Sequence, residues 1–202
     1  MSLIKLNDRA VKDVTQFGSI SSLGSLVHIS TATASASASI EFTSGIDSTY
    51  KEYVFYFVNI HPSTDQVNFT FNLSTDSGSN YNVTKTTTIF NTYHDEADTA
   101  TSLEYRPNAD LAQSTAYQVI GDGPWGNNSD ESGSGFLNLF NPSSTTYVKH
   151  FISDINFYYF GNFTIRSMMA GYGNTTSPIN AIKFQMSSGN IDAGQILLFG
   201  VN

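Results

Sequence analysis

Apolar and polar residues alternate with a period of two along most of the chain beyond Leu26. In residues 31–43 the even positions are alanine, isoleucine or phenylalanine, and the odd positions are threonine, serine or glutamate. Residues 67–73 alternate in the same way, whereas residues 53–60 are apolar on both faces. Alternation is typical of a strand with one buried face, and a continuous apolar run is typical of a central strand.

Turn signals made of Gly, Pro, Asn, Asp and Ser separate further strand-like segments. No apolar stripe with the period of a helix reaches helix length. The pattern therefore predicts an all-β, antiparallel β-sandwich, jelly-roll-like in our preferred interpretation, with a barrel as the alternative. The further predicted strands are 81–90, 115–120, 136–140, 147–152, 155–160, 163–170, 180–187 and 195–201.

Residues 1–25 stand apart from this domain, which we place at residues 26–202. They mix apolar and charged side chains and end in the joint GSISSLGS, whose composition is typical of a flexible connection. We expect a short amphipathic helix or an extended arm that docks on its own domain or on another chain. The predicted anchoring residues are Leu3, Ile4, Lys5, Leu6, Arg9, Val11, Lys12, Val14 and Phe17.

The alanines of the first alternating segment suggest a close approach by whatever covers them. Small side chains occupy its apolar face, so its neighbour must come near. Two interpretations stay open: a thin end of the sandwich, or a tight contact between subunits of a homotrimer. The predicted subunit-contact residues are Ala32, Ala34, Ala36 and Ala38.

Charge narrows the range of partners. Of the 202 residues only 13% are charged, about half the usual ~25%, and the net charge is −8. Nine Lys and Arg residues cannot neutralise a row of phosphates, so we expect no nucleic-acid partner. The opening MSLIKLNDRAVKDV lacks the apolar core of a signal peptide, and no apolar run is long enough to span a membrane. We therefore expect synthesis in a cytoplasm and no membrane insertion. Cysteine is absent, which excludes disulfides.

Two polar patches could carry chemistry. The stretch YHDEAD contains His94, Asp95, Glu96 and Asp98, whose side chains could bind a divalent ion. Its spacing matches no metal motif, so we favour a solvated loop and predict no metal site. The stretch 121–135 offers Asp122, Asp130 and Glu131 as calcium ligands but lacks the EF-hand pattern.

Exposed aromatic side chains could bind a sugar ring instead. The candidates are Tyr93, Tyr105 and Trp125, although Trp125 could equally fold back as a plug, which we favour. A glycoside hydrolase is the third possibility, with Asp95, Glu96 and Glu131 as its carboxylates. No nucleophile motif or phosphate-binding loop supports an enzyme, so we predict no catalytic residue and no cofactor.

Several segments resemble structural proteins of marine bacteriophages. The opening LIKLNDRAVKDVTQFGSI resembles the N-terminal segment of many such virion proteins. The block from IEFTSGIDSTYKEYVFYF to NLSTDSGSNYN resembles a β-sandwich domain common in their tail-fibre-like proteins, and LNLFNPSSTTYVKHF and INAIKFQMSSGNIDAGQILLFGV fit the same picture.

This resemblance implies a non-enzymatic virion protein: a small fibre, an appendage or a capsid-decorating protein. Its arm would bind other virion proteins of the capsid, neck or tail, and its β-domain would project as a homotrimer. A glycan-binding module for host attachment is the alternative, and both roles could hold in one receptor-binding fibre.

Overall fold

The computed structural model describes residues 25–202, which form twelve β-strands in one continuous antiparallel sheet. These residues contain no helix, so none of them forms a helix that could span a membrane. The prediction of an all-β antiparallel fold is confirmed. The strands are β1 (Leu26–Thr33), β2 (Ile40–Phe42), β3 (Glu52–Pro62), β4 (Val67–Ser74), β5 (Lys85–Asp95), β6 (Thr101–Tyr105), β7 (Gln118–Trp125), β8 (Gly133–Phe140), β9 (Lys149–Tyr159), β10 (Phe163–Gly173), β11 (Ala181–Met186) and β12 (Ile191–Val201).

The sheet curves until it is nearly closed. Its main path runs β1-β12-β3-β8-β9-β7-β4-β11-β2, and the strands β10, β5 and β6 branch from β9. A single residue pair, Trp125 with Tyr159, joins β7 to β9. Two groups of strands therefore face each other: β1, β12, β3, β8, β9, β10, β5 and β6 on one side, and β7, β4, β11 and β2 on the other. We call the first group the long layer.

Aromatic rings fill the space between the two groups. Phe184 of β11 lies 5.5 Å from Phe55 and 5.3 Å from Phe57, measured between ring centroids. Phe71 of β4 contacts Phe151 of β9 edge to face at 5.2 Å. All five side chains are buried. The prediction that residues 53–60 form a central strand is confirmed, because β3 pairs with β12 on one side and β8 on the other.

Some strand boundaries differ from the predicted ones. Residues 147–152 and 155–160 belong to one strand, β9, because Ser153 and Asp154 continue the ladder to β10 without a turn. Strand β6 was missed, since alternation over five residues is too short a signal beside the turn-like residues around it.

The alanine-rich segment is not the two-faced strand that its alternation predicts. Strand β1 ends at Thr33, and β2 resumes only at Ile40. Ala36 between them has a φ of 49°, a left-handed conformation that breaks a strand. Alanine and serine have weak strand preference, so tertiary contacts decide their conformation.

The four alanines consequently share no single face. Ala34 is buried and Ala32 packs partly on the core, whereas Ala36 and Ala38 are exposed. A role for these residues in a subunit contact stays a prediction. The predicted anchoring residues, from Leu3 to Phe17, lie outside the described residues.

Candidate functional site

A cleft of about 300 Å³ opens where β5, β6 and β10 meet β7 and the end of β9. Its volume is at the lower end of the ~300–1,000 Å³ typical of small-molecule sites. One part of its lining is aromatic and the other is charged. The lining residues are Asn91, Tyr93, Ala100, Glu104, Arg106, Asp122, Gly123, Pro124, Tyr159, Phe163 and Ile165.

Three aromatic side chains form one wall of the cleft. Tyr93, Tyr159 and Phe163 come from β5, β9 and β10, whose register places them side by side. Phe163 lies edge to face between the two tyrosines, with centroid distances of 5.7 Å and 5.4 Å. All three pack against the core while remaining partly exposed. The wall is therefore rigid and apolar, yet open to a ligand.

The charged side of the cleft is built around Arg106. Its Nε donates to Asp122, and its Nη1 donates to Glu104 at 3.1 Å. Burial acts to lower the pKa of Arg106, but the hydrogen bonds and charges of Asp122 and Glu104 outweigh it, so that pKa lies above its ordinary value. The guanidinium is thus a fixed cation in a half-buried position, with 36% of its side chain exposed.

Buried polar residues hold Asp122 in place. Asn91 donates from Nδ2 to the Asp122 carbonyl at 2.5 Å, and the Ser167 hydroxyl donates to Asn91 Oδ1 at 2.7 Å. The Asp122 amide in turn donates to Ser167 Oγ at 3.2 Å. Asn91 and Ser167 are buried on the inner faces of β5 and β10. This network fixes the backbone of Asp122, and Arg106 holds its carboxylate, before any ligand arrives.

Several polar atoms of the cleft have no partner among residues 25–202. They are Arg106 Nη2, Glu104 Oε2 and Asp122 Oδ1, each adjacent to a group already fixed by a hydrogen bond. A guanidinium offers five N–H donors, and two of its nitrogens serve the carboxylates here. The remaining donors and acceptors can bind neighbouring hydroxyl or carbonyl groups of a ligand.

Glycine keeps the base of the cleft open. Gly123 has a φ of +141°, and a Cβ there would lie 3.2 Å from both Ile165 Cδ1 and Phe157 Cζ. A side chain at this position would be strained and would crowd the cleft floor. Pro124 follows it, so the cleft side of β7 is shaped by backbone rather than by long side chains.

The structure separates the three predicted sugar-stacking residues. Tyr93 lines the cleft. Tyr105 is exposed on the opposite face of β6 from Glu104, and its hydroxyl donates to Asp110. Trp125 is fully buried, stacked 4.7 Å from Phe157, and its Nε1 donates to the Gly121 carbonyl. Trp125 is the plug that we favoured, and no sugar can reach it.

The polar stretch 93–98 forms the end of β5 and a tight turn. The Asp95 carboxylate accepts hydrogen bonds from the amides of Thr99 and Ala100 and from the Thr99 hydroxyl. The Thr99 hydroxyl and these backbone donors lower the pKa of Asp95. His94 lies 3.2 Å from Asp98, and Glu96 accepts a hydrogen bond from Tyr158.

The second polar patch is also engaged in its own structure. Glu131 is buried and accepts hydrogen bonds from the amide and the side chain of Asn128, at 2.7 Å and 2.9 Å. Asp122 lies in the cleft instead, and Asp130 is exposed. Within the described part of the chain, no three His, Asp or Glu side chains come together as metal ligands would.

Most cleft residues were not singled out from the sequence. Arg106 follows the missed strand β6, and Asn91, Tyr159 and Phe163 read simply as members of alternating strands. Their proximity depends on the pairing of β10 with both β5 and β9. The one feature of the sequence that points to the cleft is Arg106 itself, an isolated basic residue in a chain with only nine Lys and Arg residues.

No family model, curated protein or solved structure matches this chain. The sequence and the cleft are therefore the basis for any functional assignment.

Proposed function

We propose that this protein is a non-enzymatic bacteriophage virion protein whose β-domain binds a glycan in the cleft between Tyr93 and Arg106. The observation that carries the glycan part is the combination of an aromatic wall with fixed, partly unpartnered polar groups. The virion part is supported by the resemblance of the sequence to phage structural proteins, and we propose the virion as its location.

A sugar ring presents two kinds of surface, and the cleft offers a match for each. The C–H face of the ring packs on the electron-rich face of an aromatic side chain, here Tyr93, Tyr159 or Phe163. Neighbouring hydroxyls donate to carboxylates and accept from a guanidinium, here Glu104, Asp122 and Arg106. Hydrogen bonds to charged groups are roughly twice as strong as neutral ones, and the rigid cleft lowers the entropic cost of binding.

The same geometry argues for binding rather than hydrolysis. A glycosidase needs one carboxyl group that stays protonated to act as an acid. The two carboxyl groups that line the cleft, Glu104 and Asp122, both form ion pairs with Arg106, so neither stands apart from a cation as an acid group of this kind would. The carboxylates first considered for hydrolysis, Asp95, Glu96 and Glu131, are each hydrogen-bonded within turns or to Tyr158.

A glycan array with the full chain tests this proposal directly. We expect wild-type protein to bind a restricted set of glycans, and Arg106→Gln and Phe163→Ala to lose at least tenfold in affinity for them. The matched control is Tyr147→Ala, because Tyr147 is an aromatic residue with 70% exposure that lies outside the cleft.

Two results would contradict the glycan role. One is wild-type protein that binds no glycan on a broad array. The other is binding that survives both cleft variants while Tyr147→Ala abolishes it. The virion role is tested separately, by searching purified phage particles for the protein by mass spectrometry.

A further inference from the structure

A hollow of about 350 Å³, which we call the second hollow, lies beside the cleft at the same end of the long layer. It opens between the turn that joins β5 to β6 and the turn that joins β9 to β10. The amide of Glu96 donates to the carbonyl of Asn162 at 3.0 Å, so a backbone hydrogen bond holds the two turns together. The residues that line the second hollow are Asp95, Glu96, Ala97, Gly161, Asn162 and Phe163.

Shared residues place the second hollow directly beside the cleft. Phe163 lines both of them. Ala100 lines the cleft, and its amide donates at 2.8 Å to Oδ1 of Asp95, which lines the second hollow. Gly161 has no side chain, and a Cβ there would lie 2.8 Å from Tyr159 Cε1 and 3.6 Å from Phe163 Cε2. A ligand that extends from the cleft past Phe163 therefore reaches the second hollow.

The second hollow contains polar groups that are held in place but not fully used. The Tyr158 hydroxyl lies 2.8 Å from Glu96 Oε1, to which it donates, and 3.2 Å from Asn162 Oδ1. Glu96 Oε2 and Asn162 Nδ2 have no partner among the residues that the structure describes. They supply one acceptor and one amide donor, which together can bind the hydroxyl groups of a sugar.

The charges around the cleft and the second hollow disfavour an acidic sugar. Of the described residues that line them, Arg106 is the one lysine or arginine, and it is already paired with Glu104 and Asp122. Asp95 and Glu96 add two further carboxylates. A carboxylate or sulfate on the ligand would therefore enter a site with an excess of negative charge, where like charges repel each other more strongly than in bulk water.

We propose that this site binds a neutral oligosaccharide of at least two sugar residues, one on the aromatic wall of the cleft and the next in the second hollow. This proposal rests on the glycan-binding function proposed above and names the class of glycan. One sugar residue packs its ring face on the aromatic wall, and the hydroxyls of the next bind Glu96 and Asn162. The second residue adds contacts without the entropic cost of a separate association.

A glycan array with the full chain tests the proposal if it carries neutral glycans at lengths of one to four residues. Each neutral glycan is accompanied by a counterpart in which one residue is a uronic acid. For wild-type protein we expect the affinity to rise at least tenfold from one residue to the best longer neutral glycan. The uronic-acid counterpart of that glycan should bind at least tenfold more weakly.

Two substitutions in the second hollow locate the additional contacts. Asn162→Gly removes the spare amide donor, and glycine accepts the left-handed backbone at this position, where φ is 64°. Ala97→Met fills part of the second hollow from an exposed position. In both variants the rise in affinity with glycan length should fall below threefold. The matched control, Asn141→Gly, should keep the full rise, because Asn141 is also left-handed, with a φ of 43°, and lies outside the cleft and the second hollow.

The other outcomes overturn this proposal and distinguish its failure from that of the glycan function. If wild-type protein binds one residue as tightly as longer glycans, or binds the uronic-acid counterparts equally well, the glycan function stands and the neutral oligosaccharide is wrong. A length dependence that survives both variants places the additional contacts outside the second hollow. Wild-type protein that binds no glycan overturns both proposals. Circular dichroism checks the fold of each variant, and Ala97→Met keeps the test valid if Asn162→Gly unfolds, since Ala97 is exposed.

Discussion

Cationic side chains lie at both ends of the inner side of β5, β9 and β10, and they have different partners at the two ends. Those at one end belong to β5 and β9, and the one at the other end follows β6. At one end Lys85 and Lys149 are fully buried, on the two strands that flank Gly173. At the other end Arg106 is partly exposed and hydrogen-bonded to two carboxylates. We call these the lysine end and the cleft end.

The lysine end is closed and uses neutral oxygens only, as far as residues 25–202 show. Lys85 Nζ donates to Asn72 Oδ1 at 2.5 Å and to the Val83 carbonyl at 2.8 Å. Lys149 Nζ donates to the carbonyls of Tyr147 and Thr175. Burial lowers the pKa of Lys85 to about 8 and also lowers that of Lys149. The lysine end therefore contributes to the stability of the fold and offers no site that a ligand could reach.

At the cleft end Arg106 stays charged because the carboxylates of Glu104 and Asp122 compensate its charge and its side chain remains partly exposed to water. The pKa of Arg106 is raised there, opposite to the shift of the lysines. A buried polar group whose partners are all internal contributes to the fold, whereas a fixed group with spare donors can bind a ligand. The contrast predicts that substitutions affect stability at the lysine end and binding at the cleft end.

The largest expected effect follows from Asn72→Leu at the lysine end. Asn72 is buried and serves the Lys85 ammonium, the Tyr81 and Thr115 carbonyls and the Leu73 amide. Its loss leaves a buried cation without its side-chain partner, which should cost about 3 kcal/mol or more of unfolding free energy. Urea denaturation measures this cost.

The double variant Asn72→Leu/Lys85→Met provides the control. Removing the cation as well should recover part of the loss, because the two residues are directly coupled. If the loss of unfolding free energy in the double variant equals the sum of the losses in the two single variants, Asn72 and Lys85 are not energetically coupled.

The second effect is a rise in stability with pH that belongs to Lys85. Its folded pKa is about 8 and its ordinary value is 10.5. Between these values the unfolded chain binds more protons than the folded one, so stability rises with pH. From pH 8 to 9.5 the gain from Lys85 should be about 1.5 kcal/mol, and ionisation of tyrosines in the unfolded chain, whose ordinary pKa is about 10, offsets part of it.

Lys85→Met separates this effect from other titrations. Urea unfolding at both pH values should show the rise in wild-type protein and a much smaller one in the variant, with Lys149 supplying the remainder. Equal slopes in both proteins would remove Lys85 as the source.

The third effect concerns the cleft end and is again measured as a change in the free energy of unfolding in urea. Arg106→Met should change the unfolding free energy by about 1 kcal/mol, because the Arg106 side chain is 36% exposed and its pair with Glu104 contributes little, while the mostly buried Asp122 loses its cation. Its glycan affinity should nevertheless fall at least tenfold, as measured by titration calorimetry with the best glycan from the array. A stability loss as large as that of Asn72→Leu would erase the contrast between the two ends.

The sequence predicted the strands better than it predicted either end. Alternation placed β4 and β10 because burial on one face imposes a period of two, and a continuous apolar run placed the central strand β3. It failed at Ala36, which has a left-handed backbone and is held by two hydrogen bonds: its amide donates to the carbonyl of Asp192 at the start of β12, and its carbonyl accepts from Asn190 in the turn before that strand. The lysine end and the cleft depend on which strands are neighbours, and local patterns carry no information about pairing between distant strands.

The smallest effect concerns Glu104, at the rim of the cleft end. Its pair with Arg106 is 3.1 Å long, and both side chains are more than a third exposed. Glu104→Gln keeps an acceptor for the guanidinium and removes one charge, so unfolding in urea should change by about 0.5 kcal/mol or less. If the spare Oε2 binds a sugar hydroxyl, glycan affinity should still fall several-fold, because a neutral amide forms weaker hydrogen bonds than a carboxylate. Unchanged affinity would restrict the binding groups to Arg106 and Asp122, deeper in the cleft.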